Sequence, residues 1–256
     1  MSTIASAGTG NVASHLARAI ARSHYRLAGI FSRNASHAAA AAQCYGCPSG
    51  TYADLAELRP DVVIISVADQ GINATVGAIG PLPSSTVVLH TSGTVSMDAL
   101  APLSPHHGIL YPLQSFTKGA EVDLQQVPFF TEASDAETLA AADAIAADLG
   151  AKAYHADESL RRTLHIAGVF TNNFVNILLL EAQRLLEEKG IGADAIRPLA
   201  ELTVAKAFAM PARMAQTGPA RRGDTDVTAR QYDALPERLK PVYRELTNLI
   251  VNEFSK

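Results

Sequence analysis

Between Asp61 and Val67 the chain reads Asp-Val-Val-Ile-Ile-Ser-Val, apolar at the positions facing both sides of an extended segment. That pattern predicts a strand buried on two faces, as in a parallel sheet covered by helices. Shorter runs of the same kind at 26–32, 86–90, 108–111 and 128–131 predict further strands, preceded by the apolar pair Ile4-Ala5. Segments at 14–23, 35–43, 51–58, 71–79 and 133–149 read as helices, several of them rich in alanine, and Gly46 and Gly150 punctuate two of their ends. Strands alternating with helices predict a doubly wound, mostly parallel α/β sheet over 1–155. Beyond it the period changes. Asp157 stands where a cap would open one long helix running to Lys189-Gly190, and helices at about 194–210, 224–234 and 236–254 follow with no strand signal. Two domains are expected, a sheet domain at 1–155 and an all-helical domain at 156–256 that takes the substrate and dimerises.

The first strand runs into Gly8-Thr9-Gly10-Asn11-Val12-Ala13. A strand, a G-x-G-x-x-A turn and a helix form the dinucleotide-binding fingerprint of the Rossmann fold. The first glycine makes a tight turn, the second lets backbone approach a pyrophosphate, and the small third residue lets helix and strand pack closely. Glycines also punctuate ordinary turns, so the motif gains its meaning from its place at the head of a βαβ pattern. Gly8, Thr9, Gly10, Asn11 and Val12 are therefore expected to bind cofactor.

The end of the second strand bears on which cofactor. NAD sites place a carboxylate there for the ribose 2′-hydroxyl, whereas this chain has Ser32-Arg33-Asn34. A guanidinium can take a 2′-phosphate bidentately and a serine hydroxyl can donate to it, so NADP is expected, with Ser32 and Arg33 as ligands. Val67, Ala68 and Asp69 end one central strand and Thr91 and Ser92 the next, at the sheet edge where such folds bind ligands. Asp69 has a competing reading as a helix cap.

Composition narrows the classes. A net charge of −4 without a long basic run argues against nucleic acid, and the richest apolar run, Ile177 to Leu180, is too short to span a bilayer. A cytoplasmic protein with no membrane partner is expected. The only cysteines form Cys44-Tyr45-Gly46-Cys47, in a probable helix-to-strand loop without a second pair to complete a zinc site, so a structural or incidental role is expected. His106-His107 reads as a solvated loop, and Tyr111 and Gln114 as loop residues able to close a cleft.

On the long helix, His165, Asn172 and Asn176 are spaced seven and four apart and share one face, with Asn173 at its edge. Polar groups interrupting an apolar helix cost stability unless they are paired or face a cleft. His165 could exchange the proton that accompanies hydride transfer, with Asn173 and Asn176 beside it, or the same residues could join neighbouring helices. Further on, Arg222 could clamp a carboxylate, while Asp224 could do no more than cap the next helix.

Several pieces carry a resemblance: the glycine turn, Phe31-Ser32-Arg33, His90-Thr91-Ser92-Gly93, Tyr111-Pro112-Leu113-Gln114-Ser115-Phe116, His165-Ile166-Ala167-Gly168-Val169-Phe170 and Gln216-Thr217-Gly218-Pro219. In this order they resemble the bacterial Rossmann-like NADP oxidoreductases that carry a C-terminal helical domain of unknown function. That family is distantly similar to pyrroline-5-carboxylate reductase, the deazaflavin-dependent NADP reductases and the 6-phosphogluconate dehydrogenase group. The resemblance implies a fold and a cofactor but no substrate. Hydroxyacid dehydrogenases of the broader group carry G-x3-K-x3-N on the long helix, and here Gly168, Asn172 and Asn176 stand at that spacing. Asparagine can hold a carbonyl but cannot shuttle a proton at neutral pH. The expectation is hydride transfer between NADP(H) and a small carbonyl or imine bound between the domains of a homodimer. The alternatives are a non-catalytic NADP sensor and a deazaflavin- or flavin-linked reductase.

Overall fold

The computed structural model describes residues 2–255. Eight strands form one sheet in the order β3-β2-β1-β4-β5-β6-β7-β8. They are β1 (Thr3–Ala7), β2 (Arg26–Phe31), β3 (Ser49–Gly50), β4 (Val62–Ile65), β5 (Val87–His90), β6 (His107–Pro112), β7 (Pro128–Ala133) and β8 (Lys152–His155). Pairing is parallel from β3 across to β6, antiparallel between β6 and β7, and parallel again between β7 and β8. β1 sits between β2 and β4, so strand order reverses there and leaves a crevice at the carboxyl ends.

The period of two along the strands explains both hydrophobic layers. Ile4, Ile30, Ile64 and Leu89 point to one side with Leu16 and Ile20 of α1 (Asn11–Ile20). Ala5, Phe31, Val63, Ile65 and Val88 point to the other with Ile72, Val76 and Ile79 of α3 (Ile72–Ile79). The remaining sheet helices are α2 (Ala35–Gln43) and α4 (Ala136–Asp148).

Some elements differ from the sequence pattern. Residues 51–58, expected as a helix, form two short 3₁₀ turns, Tyr52–Asp54 and Ala56–Leu58, because Asp54 reaches back to cap Thr51 and Arg59 adopts a left-handed conformation that stops the run. β3 and β8 carried no signal: one is two residues long, and Lys152–His155 is a largely exposed edge strand without an apolar face. Tyr111 lies on β6 and not in a loop after it, and His107 opens that strand as a buried residue rather than a solvated one. His106 holds Asp135, the cap of α4, at 2.9 Å.

The long helix α5 runs from Glu158 to Glu187. Asp157 caps it, accepting from Leu160 N–H at 2.8 Å. Its six residues Val169–Phe174 wind as a π-helix, a form associated with functional sites. By length and composition α5 is apolar enough to cross a membrane, its best window having a mean hydropathy of 1.4, which the short run Ile177–Leu180 did not suggest. The apolar positions are distributed along the helix instead of being concentrated in one run.

The chain divides into two compact units between Ile177 and Leu178. The division falls beyond residue 155 because the first turns of α5 are anchored to the sheet: Arg161 pairs with Glu132 of β7 and His165 meets Tyr111 of β6. The second unit is entirely helical, with the rest of α5 followed by α6 (Arg197–Ala209), α7 (Ala212–Ala215), α8 (Pro219–Arg222), α9 (Thr225–Ala234) and α10 (Lys240–Phe254). No described residue of that unit is buried.

Candidate functional site

The turn from β1 into α1 is fixed by backbone. Gly8 N–H donates to the Phe31 carbonyl at 2.7 Å, and Ser66 N–H donates to the Ala7 carbonyl at 2.8 Å. Gly8 has φ +132°, and a Cβ built there would lie 2.2 Å from the Ser66 carbonyl oxygen. Only glycine permits so close an approach of the turn to β4. Gly10 differs: its φ is −76°, and an added Cβ meets nothing within 4 Å. It is the N-cap of α1, no side chain caps that end, and no acidic residue occupies the first turn. An uncapped helix N-terminus facing open space suits a phosphate. The buried Ser66 hydroxyl at the end of β4 also lacks a hydrogen-bond partner among the described residues. The residues present thus fit a dinucleotide pyrophosphate held by the Gly8–Val12 backbone.

Side chains in this region are partly committed already. The Asn11 amide donates to the Phe116 carbonyl at 2.8 Å, tying α1 to the loop after β6. Ser32 donates to the Asn34 carbonyl at 2.7 Å and accepts from its N–H at 3.0 Å, and Asn34 caps α2. The hydroxyl expected to donate to a phosphate is therefore used locally. Arg33 is exposed and has no ion-pair partner among the described residues. Val67 is half-buried and Ala68 exposed. Asp69 does not cap a helix; Ala68 stands at that position and the Asp69 carboxylate accepts from the Thr94 hydroxyl, joining the loops after β4 and β5.

The loop after β5 is built on His90. Fully buried at the strand end, His90 accepts from Ser92 N–H at 3.1 Å through Nδ1, which places its proton on Nε2 facing the Ser96 carbonyl at 3.3 Å. Burial, with a smaller push from Arg161, takes its pKa down to about 4 against the opposing pull of the Ser96 carbonyl and of Asp69. Ser92 accepts from the amides of Thr94 and Val95 at 3.1 Å each, so it shapes the loop and is no free nucleophile. Thr91 N–H is bonded to the Ile65 carbonyl at 3.2 Å. The Val95 carbonyl takes a 2.7 Å hydrogen bond from Arg161, whose side chain is fully buried and ion-paired with Glu132.

Beside this loop, the Tyr111 hydroxyl lies 3.2 Å from His165 Nδ1. Burial raises the Tyr111 phenol above its usual pKa, Asp69 raises it further, and Arg161 counteracts. The pair opens on a hollow of about 450 Å³ lined by Gln114, Ser115, Thr171, Asn172 and Asn173, with Leu113, Leu164 and Val169 as apolar walls. That volume is in the range of small-ligand sites. His165, Asn172 and Asn173 all line this hollow, and Asn176 does not. The π-helical segment widens the turn, so positions four apart no longer stack and Asn176 does not follow Asn172 onto that face. Tyr111 was legible only as a residue near a cleft, since nothing in the sequence places its strand opposite His165.

Elsewhere the polar candidates are occupied. Arg222 and Asp224 pair with one another at 2.8 Å, and Asp224 makes no capping bond although it precedes α9. Cys44 and Cys47 are both free thiols, and burial pushes the Cys47 thiol up, away from a reactive thiolate.

Residues 3–92 match the family model described as NADP oxidoreductase, coenzyme F420-dependent, and residues 127–250 match the domain of unknown function DUF2520. A Bacteroides fragilis protein described as a candidate NADP oxidoreductase is 33% identical over 98% of both chains, with a TM-score of 0.88. The fold also resembles an imine reductase of Streptomyces aurantiacus, at 15% identity over 99% of this chain and 97% of that one, TM-score 0.69. The 1-pyrroline-5-carboxylate reductase of Streptococcus pyogenes is similar at 13% identity over 98% of both chains, TM-score 0.67. No curated protein matches the chain. The chain belongs to the NADP oxidoreductase family in which that nucleotide-binding domain is followed by DUF2520.

Proposed function

We propose that the protein is an NADP(H)-dependent oxidoreductase that reduces, or in reverse oxidises, a small carbonyl or imine compound in the hollow at His165. The observation that carries this reading is that the loop after β5, at the sheet's cofactor edge, abuts that hollow: a Cβ on Gly93 would fall 2.9 Å from His165 Nδ1. The Gly8–Val12 backbone would hold the pyrophosphate, and the 91–93 loop would bound the nicotinamide side. When bound, NADPH supplies a hydride to the substrate carbon. His165 keeps a proton within reach of the substrate heteroatom, and Asn172 and Asn173 offer amides to orient a polar group. The test is NADPH oxidation across a panel of small oxo-acids, aldehydes, imines and deazaflavins, with His165→Ala as the probe of the site. Lost turnover with intact NADPH binding supports the enzyme. Tight binding without turnover on any compound favours a sensor, and turnover only with deazaflavin a linked reductase.

NADP is assigned over NAD through Arg33, the cation at the end of β2 that no partner in the described residues engages. Arg33→Asp is expected to weaken NADPH binding by about tenfold or more, roughly the loss of one bidentate charge-assisted contact, and to leave NADH within about threefold. Equal loss for both, measured by cofactor fluorescence titration, removes the assignment.

The helical unit is assigned a second copy of the chain as its cover. Phe208 is 86%, Leu199 68% and Met214 67% exposed, and no described residue of this unit is buried. A helical unit without a core needs a permanent apolar partner, and an identical chain is the commonest source of one. Light scattering should give a particle of twice the 27.0 kDa chain mass. A monomer at micromolar concentration rules this cover out.

A further inference from the structure

We infer that Tyr111 is the acid that protonates the substrate's oxygen or nitrogen, that His165 returns the proton to it, and that Gly93 is the residue that makes room for the pair. The inference rests on the oxidoreductase reading above. Three observations meet here. The Tyr111 hydroxyl and His165 Nδ1 are 3.2 Å apart. Tyr111 is only 8% exposed, with its ring carried on β6. A Cβ on Gly93 would lie 2.7 Å from Tyr111 Cζ, 3.0 Å from its hydroxyl oxygen and 2.9 Å from His165 Nδ1. Any side chain at position 93 would displace both groups from the carboxyl edge of β5. The pair thus abuts the loop that bounds the nicotinamide side, while the His165 ring also lines the solvent-accessible hollow.

The protons balance with one entering per turnover. As the substrate carbon gains the hydride that the bound nicotinamide supplies, the heteroatom lone pair takes the Tyr111 O–H proton. The phenolate oxygen takes the Nδ1 proton of the His165 imidazolium. Neutral His165 then regains a proton from water in the hollow. The substrate has gained two electrons and two hydrogens, and the nicotinamide is oxidised. The titratable and charged groups acting on Tyr111 are His165 and Arg161 from α5 and Asp69 from the turn after β4. Arg161 favours the transient phenolate, whereas Asp69 and burial keep the resting phenol protonated. A tyrosine held neutral at rest but next to a proton source is suited to act as an acid rather than a base.

The test uses the full chain as wild type, Tyr111→Phe, His165→Ala and Tyr111→Phe/His165→Ala. Without cofactor, the phenol titration of Tyr111 is read from the absorbance near 295 nm, each Tyr111 protein against its Phe counterpart. In the inferred pair Nδ1–H of His165 donates to the phenolate, so loss of His165 removes a hydrogen bond to the charged form and should move that titration upward. With cofactor, Tyr111→Phe should bind NADPH within threefold of wild type. It should also lose about 100-fold or more in kcat for the probe imine 2-methyl-1-pyrroline, or for the best substrate of the panel, with KM little changed. Gly93→Ala should produce the same kcat loss. An unmoved phenol titration overturns the pair, and a Tyr111→Phe enzyme with more than a third of wild-type kcat overturns the acid. A wild type that reduces nothing in the panel removes the oxidoreductase reading itself, and the acid assignment falls with it.

Discussion

Gly10→Ala is expected to leave the fold nearly as stable as wild type and to lose most of the NADPH affinity, while Gly8→Ala disrupts the fold itself. The two glycines stand two residues apart in one turn, yet their surroundings ask different things of them. At Gly8 an L side chain meets both a φ of +132° and a carbonyl oxygen 2.2 Å from its Cβ. Backbone strain of that kind costs about 1–3 kcal/mol, and the clash with the Ser66 carbonyl adds to it because neither partner is a flexible side-chain end. The turn must then move off β4, taking the α1 N-terminus with it. At Gly10 the backbone is one that alanine adopts freely and the Cβ enters open space. Replacing an N-cap glycine by alanine costs about 1 kcal/mol or less. If that open space is where the pyrophosphate approaches, the added methyl excludes it, and NADPH binding should fall at least about tenfold, equivalent to about 1.4 kcal/mol. Urea unfolding and cofactor titration of both variants separate the two effects. Wild-type NADPH affinity in a folded Gly10→Ala protein would place the phosphates elsewhere.

The sheet was legible because its strands are covered on both faces. Val62 to Ile65 carry apolar side chains in both directions, so no partner strand is needed to recognise them, and the glycine turn identifies the crevice before any topology is known. The signal fades where burial does. Lys152–His155 pairs with β7 in parallel, with Tyr154 stacked on Phe130, but its largely exposed side chains carry no apolar alternation. The candidate chemistry was half legible. His165 stands out as a titrating group on an apolar helix, but Tyr111 reaches it from 54 positions away in sequence, across a sheet whose strand order local patterns do not encode. The helix face itself shifted for a reason invisible to an α-helical period. His165, Asn172 and Asn173 line the hollow, but six residues wound as a π-helix break the four-residue step from Asn172 and leave Asn176 off it. Arg161-Arg162 is the sharpest case. As a sequence it is a small basic pair, but in the fold Arg161 is fully buried while Arg162 stays exposed, paired with Glu158 one turn earlier.

That burial sets the second large effect, in Glu132→Ala. The Arg161 guanidinium has no exposed surface and, among the described residues, its Nε finds no partner and Glu132 is the only carboxylate paired with it. Removing that carboxylate leaves a full charge in the interior with one carbonyl to satisfy it, and such a loss costs about 3–5 kcal/mol. The cost is that of a stranded charge and not the worth of the pair, so Arg161→Met/Glu132→Leu should recover most of the stability, because buried ion pairs are often replaced by apolar side chains with little loss. Recovery of stability should not bring recovery of the site. Arg161 also donates to the Val95 carbonyl at 2.7 Å and so holds the loop that carries Ser92 and Gly93 against Tyr111. The double variant should therefore unfold at nearly the wild-type urea concentration and still turn over poorly, with the loss in kcat rather than in NADPH affinity. If it is both stable and fully active, Arg161 serves the fold alone. If it is as unstable as Glu132→Ala, the pair contributes more than charge compensation, and the Val95 tether is part of what holds α5 on the sheet.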